Sequence, residues 1–138
     1  MIKKIGHTLG KYILVGITIG CLVWGWILYK TLESTINPVV ENFIILNIDR
    51  VDGQLWIHGS MDKVRPCTFK SVTAYSGNAL VHLEFRDTES KEVINRITGH
   101  QEWGWWIITP DVVTLRLYAT HMCSTGIVTT ELFNGVVQ

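Results

Sequence analysis

The feature that most constrains this chain is an uncharged run of eighteen residues, Tyr12 to Tyr29, behind a lysine-bearing N-terminus. As a helix this run extends about 27 Å, close to the hydrocarbon thickness of a bilayer. Aromatic residues stand at both of its ends, as they do in membrane helices that meet two water interfaces. Residues 12–30 therefore read as a single transmembrane signal anchor, residues 1–11 as a basic tail and residues 31–42 as a short stalk. Residues 43–138 read as one further domain.

Orientation follows from charge. Lys3, Lys4 and Lys11 precede the run, whereas Lys30, Glu33 and Glu41 follow it, so the N-terminus is expected on the cytoplasmic side. A cleaved signal peptide shares the basic start but needs small residues at its cleavage site, and the first alanine is Ala74. The domain after the anchor then faces the periplasm or the extracellular space, with a bacterial inner membrane as the default. From Ser34 onward the chain carries eight Lys and Arg against eleven Asp and Glu. That balance argues against nucleic acid, which selects a basic surface.

The residues beyond the anchor suffice for one hydrophobic core. Phe43 to Val51 reads as a strand, Asp52-Gly53 as a type I′ turn and Gln54 to Met61 as the returning strand. A basic loop, Asp62 to Pro66, leads to a strand from Cys67 to Tyr75, and Ser76-Gly77-Asn78 turns into another from Ala79 to Arg86. Val81, Leu83 and Phe85 alternate there with His82, Glu84 and Arg86, the period of a strand with one dry face. Asp87 to Glu92 reads as a solvated turn, followed by candidate strands at Val93 to Ile97, Trp103 to Ile108, Val112 to His121 and Ile127 to Phe133. Seven or eight short strands, turn signals at roughly ten-residue spacing and no helical period predict a mainly β fold. The expected architecture is a small antiparallel β-sandwich of Ig-like or fibronectin-like form, with a small barrel as the alternative.

Cys67 and Cys123 both lie in the β region, where an oxidising compartment favours a disulfide between them. Such a bond joins the start of one strand to the end of another, unlike the mid-strand pair of Ig domains. Cys21 lies in the apolar run and reads as filling.

Four groups of residues are candidates for function. Gly16 and Gly20 form a G-x-x-x-G pattern that lets a second helix approach closely, and Thr18 between them offers a hydrogen bond in lipid; the alternative is incidental glycine. Trp24, Trp26 and Tyr29 read as interfacial anchors. Trp103, Trp105 and Trp106 cannot all face one core at a two-residue period, so at least one is a candidate for partner contact. The expectation is that Trp103 and Trp105 share one face and Trp106 takes the other, with Gly104 leaving room for a ring from a neighbouring strand. His121-Met122-Cys123, with Cys67 and with His58, Met61, His82 and His100 elsewhere, offers soft ligands of the kind exported copper sites use. A disulfide would remove the thiolates from that set, and half-exposed strand histidines are the plainer reading.

No nucleophile elbow, phosphate loop, zinc-protease helix or close carboxylate pair is present, so no enzyme and no cofactor is expected. The sequence favours a structural or accessory subunit of a larger membrane or envelope assembly, with lipid and other membrane subunits or further copies of itself as partners. An exported copper or redox protein is the rival, and an envelope protein of a virus or mobile element acting in entry, exclusion or particle assembly is a third reading.

Overall fold

The computed structural model describes residues 2–86 and 98–138. The charged turn at Asp87 to Glu92 and the candidate strand at Val93 to Ile97 lie outside the described residues. The chain forms two compact units, residues 1–36 and 37–138.

The first unit is one helix, α1 (Ile2–Ile36). Its segment Gly10–Glu33 has a mean hydropathy of 1.9 and is long and apolar enough to cross a membrane. Pro38 stands two residues past the helix end, where its ring disfavours helical geometry in the residue before it.

Among its described residues the second unit is built of seven antiparallel β-strands. Its strands are β1 (Val40–Val51), β2 (Gln54–Lys63), β3 (Thr68–Ser76), β4 (Ala79–Phe85), β5 (Gly99–Thr109), β6 (Thr114–Cys123) and β7 (Gly126–Val136). The β1–β2 hairpin turns on Asp52 and Gly53, both at positive φ (51° and 73°), the type I′ geometry that the Asp-Gly pair predicts.

All seven strands belong to one sheet, in the order β1-β2-β5-β4-β3-β6-β7. The Ig-like sandwich expected from the strand count is therefore corrected: a single sheet curls into a half-barrel and buries its own concave face. Strand alternation fixes which residues are dry, and that face packs equally well against a second sheet or against the far side of the same one. Pairing of β2 with β5 and of β4 with β5 carries the sheet across without a break.

The enclosed core includes Leu55, Ile57, Trp103, Trp106, Ile108, Leu115 and Leu117. Curvature comes from bulges, which insert a residue and sharpen the local twist. Two lie in β1, between Glu41 and Ile44 and between Ile45 and Asn47. Asn42, within the first, adopts a φ of 50° that asparagine tolerates, and its Nδ2 donates to Asp62 Oδ2 at 2.7 Å. That amide and His100, 2.8 Å away, hold the Asp62 carboxyl below its ordinary pKa.

Cys67 and Cys123 form a disulfide with a Cα separation of 4.5 Å. It joins the residue just before β3 to the last residue of β6, two strands that already pair. The bond closes the sheet's end, as the positions of the cysteines in the sequence suggested.

Candidate functional site

The tryptophan-rich segment sits on β5, and its outcome is set by one bulge. Ile57 of β2 pairs with Trp106, yet Gly59 pairs with Trp103, so β5 spends one residue more than β2 across this stretch. The extra residue reverses the parity, and Trp103 and Trp106 both face the core, 1% and 0% exposed. Their rings lie 4.5 Å apart, Phe43 stacks on Trp103 at 4.9 Å and Phe85 meets Trp106 edge-on at 5.2 Å. The expectation that Trp103 and Trp105 share a face is thus corrected, and Trp103 and Trp106 are withdrawn from any surface contact. The glycine that a ring covers is Gly59: a Cβ there would lie 2.6 Å from Trp103 Cζ2 and would run into the Ile44 carbonyl oxygen.

Trp105 turns to the outer face and remains half-buried. It joins Trp56 at 6.3 Å and His58 at 5.4 Å, while the Arg86 guanidinium covers the Trp56 ring at 4.7 Å. A cation held against an indole face is itself stabilising. Trp56 and Arg86 were not singled out from sequence, and His58 was read only among the soft-ligand histidines, because the cluster draws on β2, β5 and the residue after β4. Only the pairing of β2 with β5 and the bond from the Arg86 amide to the Trp105 carbonyl, 3.0 Å, bring them together.

On α1, Gly16 and Gly20 lie one turn apart, and a Cβ at either would meet nothing within 4 Å. The Thr18 hydroxyl donates to its own helix, at the Leu14 carbonyl 2.9 Å away. Only its lone pairs remain for a neighbouring helix. Trp24 and Trp26 are exposed, and Trp26 lies 6.3 Å from Tyr29 with the Lys30 ammonium 5.6 Å above its ring. This cluster of rings and cation has the composition that seats a helix end at a headgroup layer.

His121 faces the interior of the sheet and is fully buried, on the same face of β6 as Cys123. Among the described residues neither ring nitrogen has a hydrogen-bond partner, and its ring meets Phe69 edge-on at 5.7 Å. Burial, reinforced by the Lys63 charge, lowers its pKa from 6.5 to about 4. The imidazole is therefore neutral near pH 7, but the two sulfurs that would complete a soft-metal set are bonded to each other. Among the described residues no group of three His, Cys, Asp or Glu side chains is placed to hold a metal ion. His58 stands in the outer aromatic cluster, and His100 pairs with Asp62 at the surface.

The remaining feature is the seam between the two edge strands. A groove of about 560 Å³ lies there, lined by Phe43, Ile44, Ile45 and Ile48 of β1 and by Phe133 and Val136 of β7. Side chains latch its ends. Val39 N–H donates to Thr130 Oγ1 at 3.3 Å, and Arg50 donates to the Val137 carbonyl at 2.7 Å while pairing with Asp111. Sequence reading passed over these residues, since the Ile44-Ile45-Leu46 run breaks strand alternation without saying where a sheet ends. No protein-family model, curated protein or solved structure matches this chain.

Proposed function

We propose that this protein is a single-pass membrane subunit whose task is contact: α1 anchors it and meets other helices, and the β unit presents a docking surface outside the membrane. The observation that carries the reading is the anchor, the 24-residue segment Gly10–Glu33, long and apolar enough to cross a membrane and carrying a run of exposed large apolar side chains from Tyr12 to Tyr29. An exposed apolar helix needs lipid or another helix around it. Gly16 and Gly20 form a shelf on which a second backbone can lie closely, and in lipid such small-residue contacts are the main source of association.

Lys3, Lys4 and Lys11 against Glu33 and Glu41 orient the N-terminus toward the cytoplasm. The β unit then lies in the periplasm or outside the cell, where its disulfide is at home. With Trp103 and Trp106 committed to the core, the outer cluster of Trp105, Trp56, His58 and Arg86 is the aromatic surface left for a partner. Aromatic and arginine side chains are those enriched where binding energy concentrates.

The test is co-purification of the tagged full-length protein in a mild detergent, with Gly16→Leu and Gly20→Leu beside the parent. Loss of the co-purifying subunits, or of the parent's oligomeric size, in either leucine variant supports the reading. Unchanged partners and unchanged size in both variants overturn it.

A further inference from the structure

Every neighbouring pair in the sheet is antiparallel. With seven strands among the described residues, the two ends of the order, β1 and β7, must therefore run parallel to each other. Contacts across the seam agree, because Val39 meets Thr130 while Arg50, farther along β1, meets Val137, farther along β7. Strand direction alternates around an all-antiparallel barrel, so such a ring closes only with an even number of strands. Among the described residues β1 and β7 do not pair with each other, and the outer edge of each keeps a row of backbone N–H and C=O groups without a strand partner.

We infer that the seam between β1 and β7 receives an eighth strand: an extended, apolar segment of a partner polypeptide, lying antiparallel to both rails. The occupant follows from two demands made in one place. The walls are apolar, with Ile44 and Val136 left 51% and 54% exposed, while the rails offer main-chain donors and acceptors. A lipid chain or small apolar molecule covers the walls and leaves the backbone groups unmet, and water does the reverse. An extended peptide meets both, its main chain pairing with the rails and its alternate side chains filling the groove. A second copy adding its own edge strand would engage one rail and leave the other bare. Thr130 holds the seam close at one end, whereas at the other end the long Arg50 side chain bridges it. The strand therefore enters from the Arg50 end and lies along residues 43–48 and 133–136. That the segment comes from another subunit of an assembly rests on the function proposed above; the groove's selection of a strand does not.

Amide hydrogen exchange on the full-length protein in detergent tests this directly. The probe is a blocked peptide of about nine residues alternating valine and threonine, beside the same peptide N-methylated at alternate residues so that one edge cannot hydrogen-bond. The unmodified peptide is expected to slow exchange along both residues 43–48 and residues 133–136, and the N-methylated peptide to leave at least one rail unchanged. The Ile44→Lys/Val136→Lys variant, altered only at exposed wall positions, is expected to bind the unmodified peptide about tenfold more weakly with the melting temperature unchanged. Four results overturn the inference: no protection at saturating peptide, protection of one rail only by the unmodified peptide, equal protection of both rails by both peptides, or rails already protected before peptide is added. The last would mean that a second copy or the chain's own residues fill the groove. Co-purification through α1 does not enter this experiment, so failure here leaves the assembly reading to its own test.

Discussion

Gly59→Ala is the sharpest test of how the β unit is packed. The added methyl would lie 2.6 Å from Cζ2 of Trp103 and would collide with the Ile44 carbonyl oxygen. Trp103 cannot yield easily, since it is 1% exposed, stacked on Phe43 and in contact with Trp106. Ile44 O is backbone between the two β1 bulges, so relief there means moving a strand. Overpacking a core costs about 1–3 kcal/mol, and a rigid obstacle on each side places this change near about 3 kcal/mol. For a unit of this size that corresponds to a fall in Tm of roughly 12–24 °C. Gly135→Ala supplies the contrast, because its methyl would meet only the Phe133 ring, at 3.4 Å. It should be neutral or stabilising by about 0.5 kcal/mol, as expected when a strand glycine gains a tolerated side chain. Thermal unfolding followed by near-ultraviolet circular dichroism, which reads the packing of the buried tryptophans, measures both. In a Trp103→Leu background the cost of Gly59→Ala should shrink without vanishing, since the carbonyl collision remains. A Gly59→Ala protein within about 0.5 kcal/mol of the parent would show that Trp103 does not cover Gly59 and that the bulge in β5 is placed elsewhere.

The other predictions concern the disulfide, the buried histidine and the seam latch. Replacing Cys67 and Cys123 together by alanine removes a link across a sequence separation of 56 and should cost about 4 kcal/mol in denaturant unfolding; an unchanged midpoint would show that the bond adds nothing to the paired β3 and β6. His121 binds a proton in the unfolded chain near its ordinary value of 6.5 but in the folded protein only near about 4. Between those values the unfolded state holds more protons, so stability is full above about pH 6.5 and is lost as pH falls toward 4. The loss amounts to about 3 kcal/mol, and His121→Phe should flatten the slope in that window; equal slopes in parent and variant would refute the assignment. Arg50→Ala removes the bridge to the Val137 carbonyl and the pairing with Asp111 at a cost of about 1–2 kcal/mol. Amide exchange at Val137 and Gln138 should rise in that variant, and unchanged exchange there would mean the latch does not hold the strand.

Local features of this fold were legible in the sequence wherever a single residue type settles the geometry. Asp52-Gly53 names its turn because both positions need positive φ, and the alternation through Leu115, Leu117 and Ala119 names a dry face that the structure buries. Val113, two residues before Leu115 and on the same face by alternation alone, is 62% exposed, because it lies before the start of β6. What alternation cannot state is which strands are neighbours. A sandwich and a curled sheet require the same one-sided pattern and differ only in long-range pairings such as β2 with β5. The tryptophans failed for a related reason: one bulge opposite His58 reverses every parity argument beyond it. Gly104 inside the strand and Gly59 on its partner were the available signals, since glycine within a strand marks a bulge or a close approach.

The seam lies one step further from the sequence, because it follows from the strand count together with the pairing order. An odd number of strands wound antiparallel leaves its two ends parallel, and curling brings those ends near each other without letting them pair as their neighbours do. The side-chain latches at Thr130 and Arg50 then do at two points what a backbone ladder would have done along the whole edge. Between the latches Ile44 and Val136 are 51% and 54% exposed, beside Phe43, Ile45, Ile48 and Phe133, which are partly buried against the core. A protein under selection to stay alone can cover or charge such an edge. This one lines it with Phe43, Ile45, Ile48 and Phe133, and a lysine at either exposed wall position should therefore leave folding intact while weakening any strand that docks there.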